Sequence, residues 1–324
     1  REGMTTRVFT TALKPGGAGT PTPATMTEIY KELHSELLAA GLVQTADIGQ
    51  IDFDNFVPPA TLNVWYGYKV YKLNDGISPD VFMKVRYGRA PNSDSPGYVP
   101  HMVGISVGFS TDGAGNIIGG TSEQVQGIAS VQSAYCQFRG DYGSYSAPSY
   151  ICCNDGFFGI IYKSFAILPS ASHGPGDGVN NAPCIFSFFI CRTTDDSGQF
   201  TEGGVSLVFA GGEKTYNNYG GNAIVNHLSA DGEQIKSTRC GLALGSDAVT
   251  AIGGNLPIYS MHAMTPTPKR IMQLGIVSRV SGSANDEVSI ALKGTTPRNY
   301  LVHHGCWPAD AIGGAGTRSC IAML

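Results

Sequence analysis

The chain has 324 residues, a net charge of -4 and only 14% Asp, Glu, Lys and Arg, whereas ordinary domains carry about a quarter. This charge leaves no basic surface of the kind that nucleic-acid-binding proteins use, and no apolar stretch reaches the roughly 18 residues of a membrane-spanning helix. The 43 glycines are close to double the ordinary share. Such a composition is typical of β proteins whose surfaces are covered by neighbouring subunits.

Residues 5–24 predict an extended arm, which one helix follows. The arm contains the strand-like Arg7–Thr10 and ends in a stretch rich in Gly, Pro and Thr, a composition typical of linkers. Thr25 and Glu28 have the spacing of a capping box, and Gly41 is suited to a left-handed helix end. The apolar stripe between them predicts an amphipathic helix that packs on a sheet: Met26, Ile29, Tyr30, Leu33, Leu37 and Leu38.

Two segments in the first third have the clearest strand patterns. Residues 63–73 carry aromatic and β-branched side chains on both faces, as a two-sided sheet strand does. In residues 102–109 the apolar side chains alternate with Gly104, Ser106 and Gly108. This nearly bare face predicts that another sheet, helix or subunit approaches the strand closely.

Most of the remaining chain predicts short strands with glycine-rich turns between them, and Asn154-Asp155-Gly156 is the clearest hairpin turn. The predicted fold is therefore α+β and mostly β, with antiparallel sheets or a sandwich and one N-terminal amphipathic helix. We predict an arm over 1–24, a helix-plus-β domain over 25–125 and a larger β-rich domain over 126–324. The strand candidates are Ile51–Phe56, Val64–Leu73, Val81–Tyr87, Met102–Ser110, Ile117–Gly119, Tyr150–Cys153, Phe157–Phe165, Cys184–Arg192, Val205–Phe209, Ile258–Met264, Met272–Val280, Val288–Leu292 and Tyr300–His304.

Three patterns with catalytic or metal-binding potential are interpreted as structural. Residues 104–108 match G-x-S-x-G, but the strand alternation continues past the serine, whereas a nucleophile elbow needs a following helix. Asp52 and Asp54 would share a strand face, but no further ligand is nearby. In the His/Cys cluster at 303–306, only two side chains would share a face. We therefore assign no catalytic, cofactor-binding or metal-binding residue.

The eight cysteines include no C-x-x-C pair, so the usual spacing of a zinc site is missing. We predict that they are reduced and buried, and that they behave as small apolar residues. Folding in a reducing cytoplasm follows from this interpretation.

Two long polar loops, 140–149 and 169–183, are candidate contact surfaces, because loops of this length in compact domains are usually functional. Tyr, Ser and Gly in the first loop are residues that form adaptable contact surfaces. The candidate interface residues are Tyr142, Tyr145, Tyr150, His173 and Trp65.

Three passages resemble virion structural proteins of tailed bacteriophages, of the tail, baseplate or fibre-associated kind. They are the arm and helix (Val8–Gly16 through Glu28–Leu33), Val64–Asp75 and Val103–Gly113, so the resemblance covers roughly residues 5–115. It implies a non-enzymatic, oligomeric building block whose partners are copies of itself and other virion proteins. The implied location is the virion, after folding in the host cytoplasm. No site residues are carried over.

Two other functions stay open from the sequence. A receptor- or glycan-binding module at the tail tip would bind the host surface through Tyr- and Trp-bearing loops. A hydrolase of cell-envelope polysaccharide would need paired carboxylates about 5–10 Å apart in a cleft, and Asp52 is its candidate residue. Neither nucleic acid nor a membrane is an expected partner.

Overall fold

The structure is a computed structural model. It describes residues 3–10, 23–59, 61, 64–89, 98–100, 102–121, 123–127, 137–139, 148–154, 156–167, 181–194, 200–209, 222–229, 234–241, 258–261, 274–277, 287–290, 298–304 and 319–323. In chain order the elements are β1 (Arg7–Thr10), α1 (Pro23–Ala39), β2 (Val43–Gln44), β3 (Val64–Lys72), β4 (Phe82–Arg89), β5 (Tyr98–Pro100), β6 (Met102–Gly108), β7 (Ser110–Thr111), β8 (Ile117–Ile118), β9 (Gln124–Gly127), β10 (Gln137–Arg139), β11 (Pro148–Asn154), β12 (Phe157–Ile167), β13 (Asn181–Thr194), β14 (Phe200–Phe209), β15 (Asn222–Ser229), β16 (Gln234–Gly241), β17 (Ile258–Met261), β18 (Leu274–Val277), β19 (Glu287–Ile290), β20 (Arg298–His304) and β21 (Ser319–Met323).

The strands form three main sheets and one two-stranded hairpin. The small sheet has the order β2-β3-β4-β6-β9, and the third sheet has the order β17-β18-β21-β20-β19. The large sheet has nine strands, with β1-β11-β12-β13-β14-β15-β16 as its main path and β10 joining β12 to β5. Every pairing between described strands is antiparallel. The prediction of a mostly β chain with antiparallel sheets and a helix near its N-terminus is confirmed.

Helix α1 begins two residues before the predicted cap, with Pro23 in its first position, where the fixed φ of proline suits a helix start. Its end agrees with the prediction. The amide of Gly41 (φ +97°) donates to the carbonyl of Leu38, and the amide of Leu42 donates to that of Leu37. These two hydrogen bonds form a Schellman motif.

One hydrophobic core joins α1, the small sheet and the large sheet. Leu33 and Leu37 of the helix belong to the same buried cluster as Val85 and Val107 of the small sheet and Phe188 of the large sheet. Of the predicted helix stripe, Leu38 is instead partly exposed. The division at residue 125 stays a prediction, but the described core side chains on both sides of it form one cluster.

The first described residues connect α1 to the large sheet. The amide of Thr5 donates to the carbonyl of Ala40 over 2.9 Å, and Arg7 forms an ion pair of 3.0 Å with Glu36. Strand β1 then pairs with β11 of the same chain. The strand-like part of the predicted arm is thus used within the chain, and residues 11–22 lie outside the described residues.

A buried ion pair connects the small-sheet half of the chain to the large sheet. Arg192 on β13 binds both carboxylate oxygens of Asp75, with Nε at 2.8 Å and Nη2 at 2.9 Å. The same guanidinium donates to the carbonyls of Pro79 and Ile77 at 2.9 and 2.8 Å. Only 4% and 9% of the two side chains are exposed. Because every nitrogen of the guanidinium has an acceptor, the charge is compensated despite its burial.

The strand predictions differ from the structure in two ways: one predicted strand is absent, and the observed strands β2, β5, β9, β10, β15, β16 and β21 were not predicted. Residues 51–56 are not a strand, because Asp52 accepts hydrogen bonds from the amide of Asp54 and the side chain of Asn55 and closes a local turn. Strands β15 and β16 were missed because their polar residues weaken the apolar alternation. The dipeptide Asp231-Gly232 between them is a hairpin signal that identifies them.

The predicted hairpin at Asn154-Asp155-Gly156 is confirmed, since Asn154 and Phe157 face each other at the end of the β11–β12 pairing. The prediction of buried thiols is confirmed for Cys152, Cys153 and Cys191. Among the described residues, no helix is long and apolar enough to cross a membrane.

We predict that Arg192→Met lowers the free energy of unfolding by about 3–5 kcal/mol, because it leaves the Asp75 carboxylate buried without a counter-ion. The measurement is urea denaturation followed by circular dichroism. The matched control is Lys72→Met, which breaks the exposed pair between Lys72 and Asp80 (2.6 Å) and should cost less than about 1 kcal/mol. Equal losses in the two variants would contradict the structural role of the buried pair.

Candidate functional site

Of the five predicted interface residues, the structure describes two, and these two differ in exposure. Trp65 lies on β3, partly buried, and the guanidinium of Arg86 sits 3.9 Å from the centre of its ring. Tyr150 is only 4% exposed within the large sheet, so in this chain its side chain offers no surface to a partner. Tyr142, Tyr145 and His173 lie outside the described residues, as do most of the two long loops that were predicted to make contacts.

The side of the small sheet away from α1 is its outer face, and it is built around cation–aromatic contacts. Arg86 stacks on Trp65 and forms an ion pair of 2.8 Å with Glu123. Beside them, the ammonium of Lys84 lies 4.4 Å from the centre of the Tyr68 ring. Because these rings and cations satisfy one another, the outer face has a defined, partly exposed pattern of aromatic and charged groups.

The glycine face of β6 is covered at Gly108 by the chain's own hairpin, residues 110–120, which we call the flap. At Gly104 it is covered by Glu123 and Trp65. A Cβ added to Gly108 would lie 2.3 Å from Cγ2 of Ile117, and one added to Gly104 would lie 3.0 Å from the Trp65 ring. The amide of Thr121 donates to the carbonyl of Val107 over 2.8 Å. The predicted close approach to this face is confirmed, and the approaching element is part of the same chain.

The interpretation of Ser106 as a strand residue is also confirmed. Strand β6 continues through it to Gly108, and Ser106 is paired with Lys84 of β4. A turn and the flap follow rather than a helix, so the G-x-S-x-G pattern does not form a nucleophile elbow here.

Carboxylates hold the flap in place. Asp112 accepts hydrogen bonds from the amides of Ala114 and Asn116 at 2.8 and 3.0 Å. Asp47 accepts the amide of Gly115 at 3.2 Å, next to the Tyr68 hydroxyl, which donates to the carbonyl of Ile48 over 2.6 Å. The hydrogen bonds from Asn116 lower the pKa of Asp112. These acids stay ionised and serve the local structure.

A second group of polar side chains lies between α1 and the inner face of the small sheet; we call it the inner cluster, and it consists of His34, Phe53, Lys69, Tyr71 and Tyr87. Nδ1 of His34 is 2.8 Å from the hydroxyl of Tyr71, which lies 3.2 Å from the hydroxyl of Tyr87. The Phe53 ring packs beside His34, with ring centres 5.8 Å apart. Ionisable groups and aromatic rings therefore meet at this interface.

Burial controls protonation in the inner cluster. Burial, and then the positive charge of Lys69, lowers the pKa of His34 from its ordinary 6.5 to about 4. Burial also raises the pKa of both tyrosines and lowers that of Lys69. At neutral pH the imidazole and both phenols are consequently uncharged.

Asp52, the candidate residue of the hydrolase alternative, and its neighbour Asp54 lie close to this cluster. Asp52 and Asp54 are exposed, and Asp54 forms an ion pair of 2.5 Å with Lys31. Hydrogen bonds from Asn55 and from the amide of Asp54 lower the pKa of Asp52. A general acid needs a raised pKa, so this environment does not suit Asp52 for the general-acid role in glycoside hydrolysis.

Sequence reasoning missed the inner cluster because its members come from α1, the 51–59 segment, β3 and β4. One signal was available: His34 follows Leu33 in the buried stripe of the helix, and Lys69 and Tyr71 share one face of β3. In the described parts of the chain, no three His, Cys, Asp or Glu side chains are placed to hold a metal ion. The cluster at 303–306 lies partly outside the described residues.

Comparison of the chain with protein-family models, curated proteins and solved structures gives no match. The function is therefore inferred from the residues of this chain.

We predict that Gly108→Ala destabilises the protein by about 1–3 kcal/mol, because the added methyl group collides with Ile117. In a double-mutant cycle with Ile117→Ala, the two losses should be less than additive, with a coupling of about 0.5 kcal/mol or more. Chemical denaturation of the four proteins gives the coupling. Strict additivity would mean that the flap does not pack on β6.

We predict that the free energy of unfolding decreases as the pH falls from 6.5 towards 4, and that His34→Gln reduces this dependence. In that interval the unfolded chain binds a proton at residue 34, whereas the folded chain does not, so acid favours unfolding. Urea denaturation at half-unit pH steps measures both slopes. The two proteins should have the same slope above pH 7, and identical slopes below 6.5 would exclude an imidazole that the folded chain keeps neutral.

Proposed function

We propose that the chain is a structural subunit of a tailed bacteriophage particle, in the tail, baseplate or fibre-attachment region. In this proposal it acts without catalysis, through contacts with copies of itself and with other virion proteins. The sequence resemblance over residues 5–115 and the low charge support this function. The mostly β architecture is compatible with it.

The arrangement of the ion pairs also supports a structural role. Four of the five described ion pairs connect segments that are well separated in sequence: Arg7 binds Glu36, Lys31 binds Asp54, Arg86 binds Glu123, and Arg192 binds Asp75. Each of these pairs holds two parts of the chain together, as expected of a rigid building block. A catalytic centre would instead need such groups to converge on one cleft.

The observation that carries the proposal is the edge of the large sheet. In the described part of the chain, β1 has one strand neighbour, β11, and Val8 of β1 is 60% exposed. An edge strand presents backbone donors and acceptors that a strand of another chain can bind. We place a contact between subunits at this edge.

The proposal includes a sandwich arrangement of the sheets. It is supported by the shared core of the small and large sheets and by contacts of β11 with β21 and of β13 with β20. In such an arrangement the large sheet is the middle layer, with its two edges directed outwards.

We predict that the purified chain forms oligomers at micromolar concentration and that Val8→Lys weakens their association, because a lysine on an edge strand opposes strand addition. The matched control is Val57→Lys, which changes a residue that is 84% exposed outside the strands. Size-exclusion chromatography with light scattering measures the mass, and circular dichroism checks folding.

A compact monomer at all concentrations, or equal effects of the two variants, would contradict a contact at β1. The receptor-binding alternative has a separate test in phage. Particles that assemble normally but fail to adsorb after replacement of Trp65 would favour that alternative.

A further inference from the structure

We propose that Lys69 and His34 form a binding site for a small oxyanion, either a carboxylate or a phosphate, at the edge of the inner cluster. This site is separate from the β1 edge and does not depend on the proposed role in a particle.

The first argument is the isolation of the Lys69 ammonium. Lys69 is only 8% exposed, and within the described part of the chain its ammonium takes part in no hydrogen bond or ion pair. Its nearest aromatic neighbour is Phe53, whose ring centre is 5.8 Å from Nζ. The ammonium keeps limited access to solvent, so a bound oxyanion would replace water as its acceptor and add a charge-assisted hydrogen bond.

The neighbouring acids are already bound to other groups. Asp54 is paired with Lys31 over 2.5 Å. Asp52 accepts the side-chain amide of Asn55 at 2.6 Å and the amide of Asp54 at 3.0 Å. Their charges favour the protonated form of Lys69, but neither carboxylate takes its ammonium as a hydrogen-bond donor.

His34 supplies the second donor. When the Tyr71 hydroxyl donates to Nδ1 of His34, the neutral imidazole carries its proton on Nε2 and can donate from there. The Tyr71 hydroxyl is itself held by Tyr87. The imidazole and the ammonium each lie 5.8 Å from the centre of the Phe53 ring, and the charge of Lys69 acts on His34. We therefore place the oxyanion between these two donors.

Binding should therefore be linked to pH. The charged groups that act on His34 are Lys69 of β3, which opposes its protonation, and Asp54 of the 51–59 segment, which favours it. An oxyanion between His34 and Lys69 would cancel part of the repulsion. The bound anion therefore raises the pKa of His34 in the complex, and the affinity for a given ionised form of the ligand should increase as the pH falls from 7 to 5.

The test is titration of the full chain with sodium phosphate and, separately, sodium acetate, with sodium chloride at equal ionic strength as the reference. Two readouts are followed: the thermal midpoint and the ring-proton NMR signal of His34, assigned by its loss in His34→Gln. We expect saturable shifts in the wild-type chain. In Lys69→Met the affinity should fall about tenfold or more, the effect of losing one charge-assisted hydrogen bond.

The control is Lys72→Met, on the same strand but paired with Asp80, which should keep the wild-type affinity. His34→Gln provides a second affected variant, read by the thermal midpoint. Saturation with acetate alone would assign a carboxylate ligand, and saturation with phosphate alone would assign a phosphate. The proposal is overturned if the shifts follow ionic strength only, or if Lys69→Met responds as the wild-type chain does.

Discussion

The bidentate pair between Arg192 and Asp75 fixes the relation between the two halves of the described chain. The guanidinium extends from the centre of the large sheet into the segment that leads from β3 to β4. Its remaining hydrogen bonds go to carbonyls of that segment. A buried ion pair contributes less to net stability than to specificity, and here its geometry defines how β13 meets the segment. The shared apolar core then adds the stabilisation that burial provides.

Other described charged side chains also form hydrogen bonds or ion pairs that hold two segments of the chain together. Asp112 and Asp47 organise the flap, and Arg86 links Trp65 to Glu123. The inner cluster is different, because Lys69 brings a largely buried charge there, and no described neighbour takes it up as a hydrogen-bond partner. In a chain with only 14% charged residues, such a charge is a distinctive chemical feature.

Local sequence patterns were sufficient to predict elements whose structure depends on residues that are close in sequence. Gly41 marked the helix end because only a residue tolerant of positive φ suits that position. Asn154-Asp155-Gly156 marked a hairpin for a similar reason. The alternation in residues 102–109 identified a strand and its bare face, but which element covers that face depends on tertiary structure, and the flap was not predicted.

The inner cluster and the ion pair of Arg192 could not be predicted, because their members are far apart in sequence. Asp75 and Arg192 are 117 positions apart, and neither lies in a pattern that indicates a partner. His34 was recognisable only as a polar residue beside a buried stripe. Its pairing with Tyr71 requires knowing that α1 crosses β3. The error at residues 51–56 has a local cause, since the side chain of Asp52 competes with strand pairing.

The flap has one more consequence. Within the described part of the chain, Ile117 fills the space above Gly108 and the core covers the opposite side of β6, so this end of the strand is covered on both faces. If subunits join at the β1 edge, as we propose, growth would run sideways, so that hydrogen-bonded ribbons continue from one molecule to the next. In such an assembly, backbone hydrogen bonds between the edge strands would resist a force that pulls the subunits apart. This resistance would depend little on the side chains at the contact.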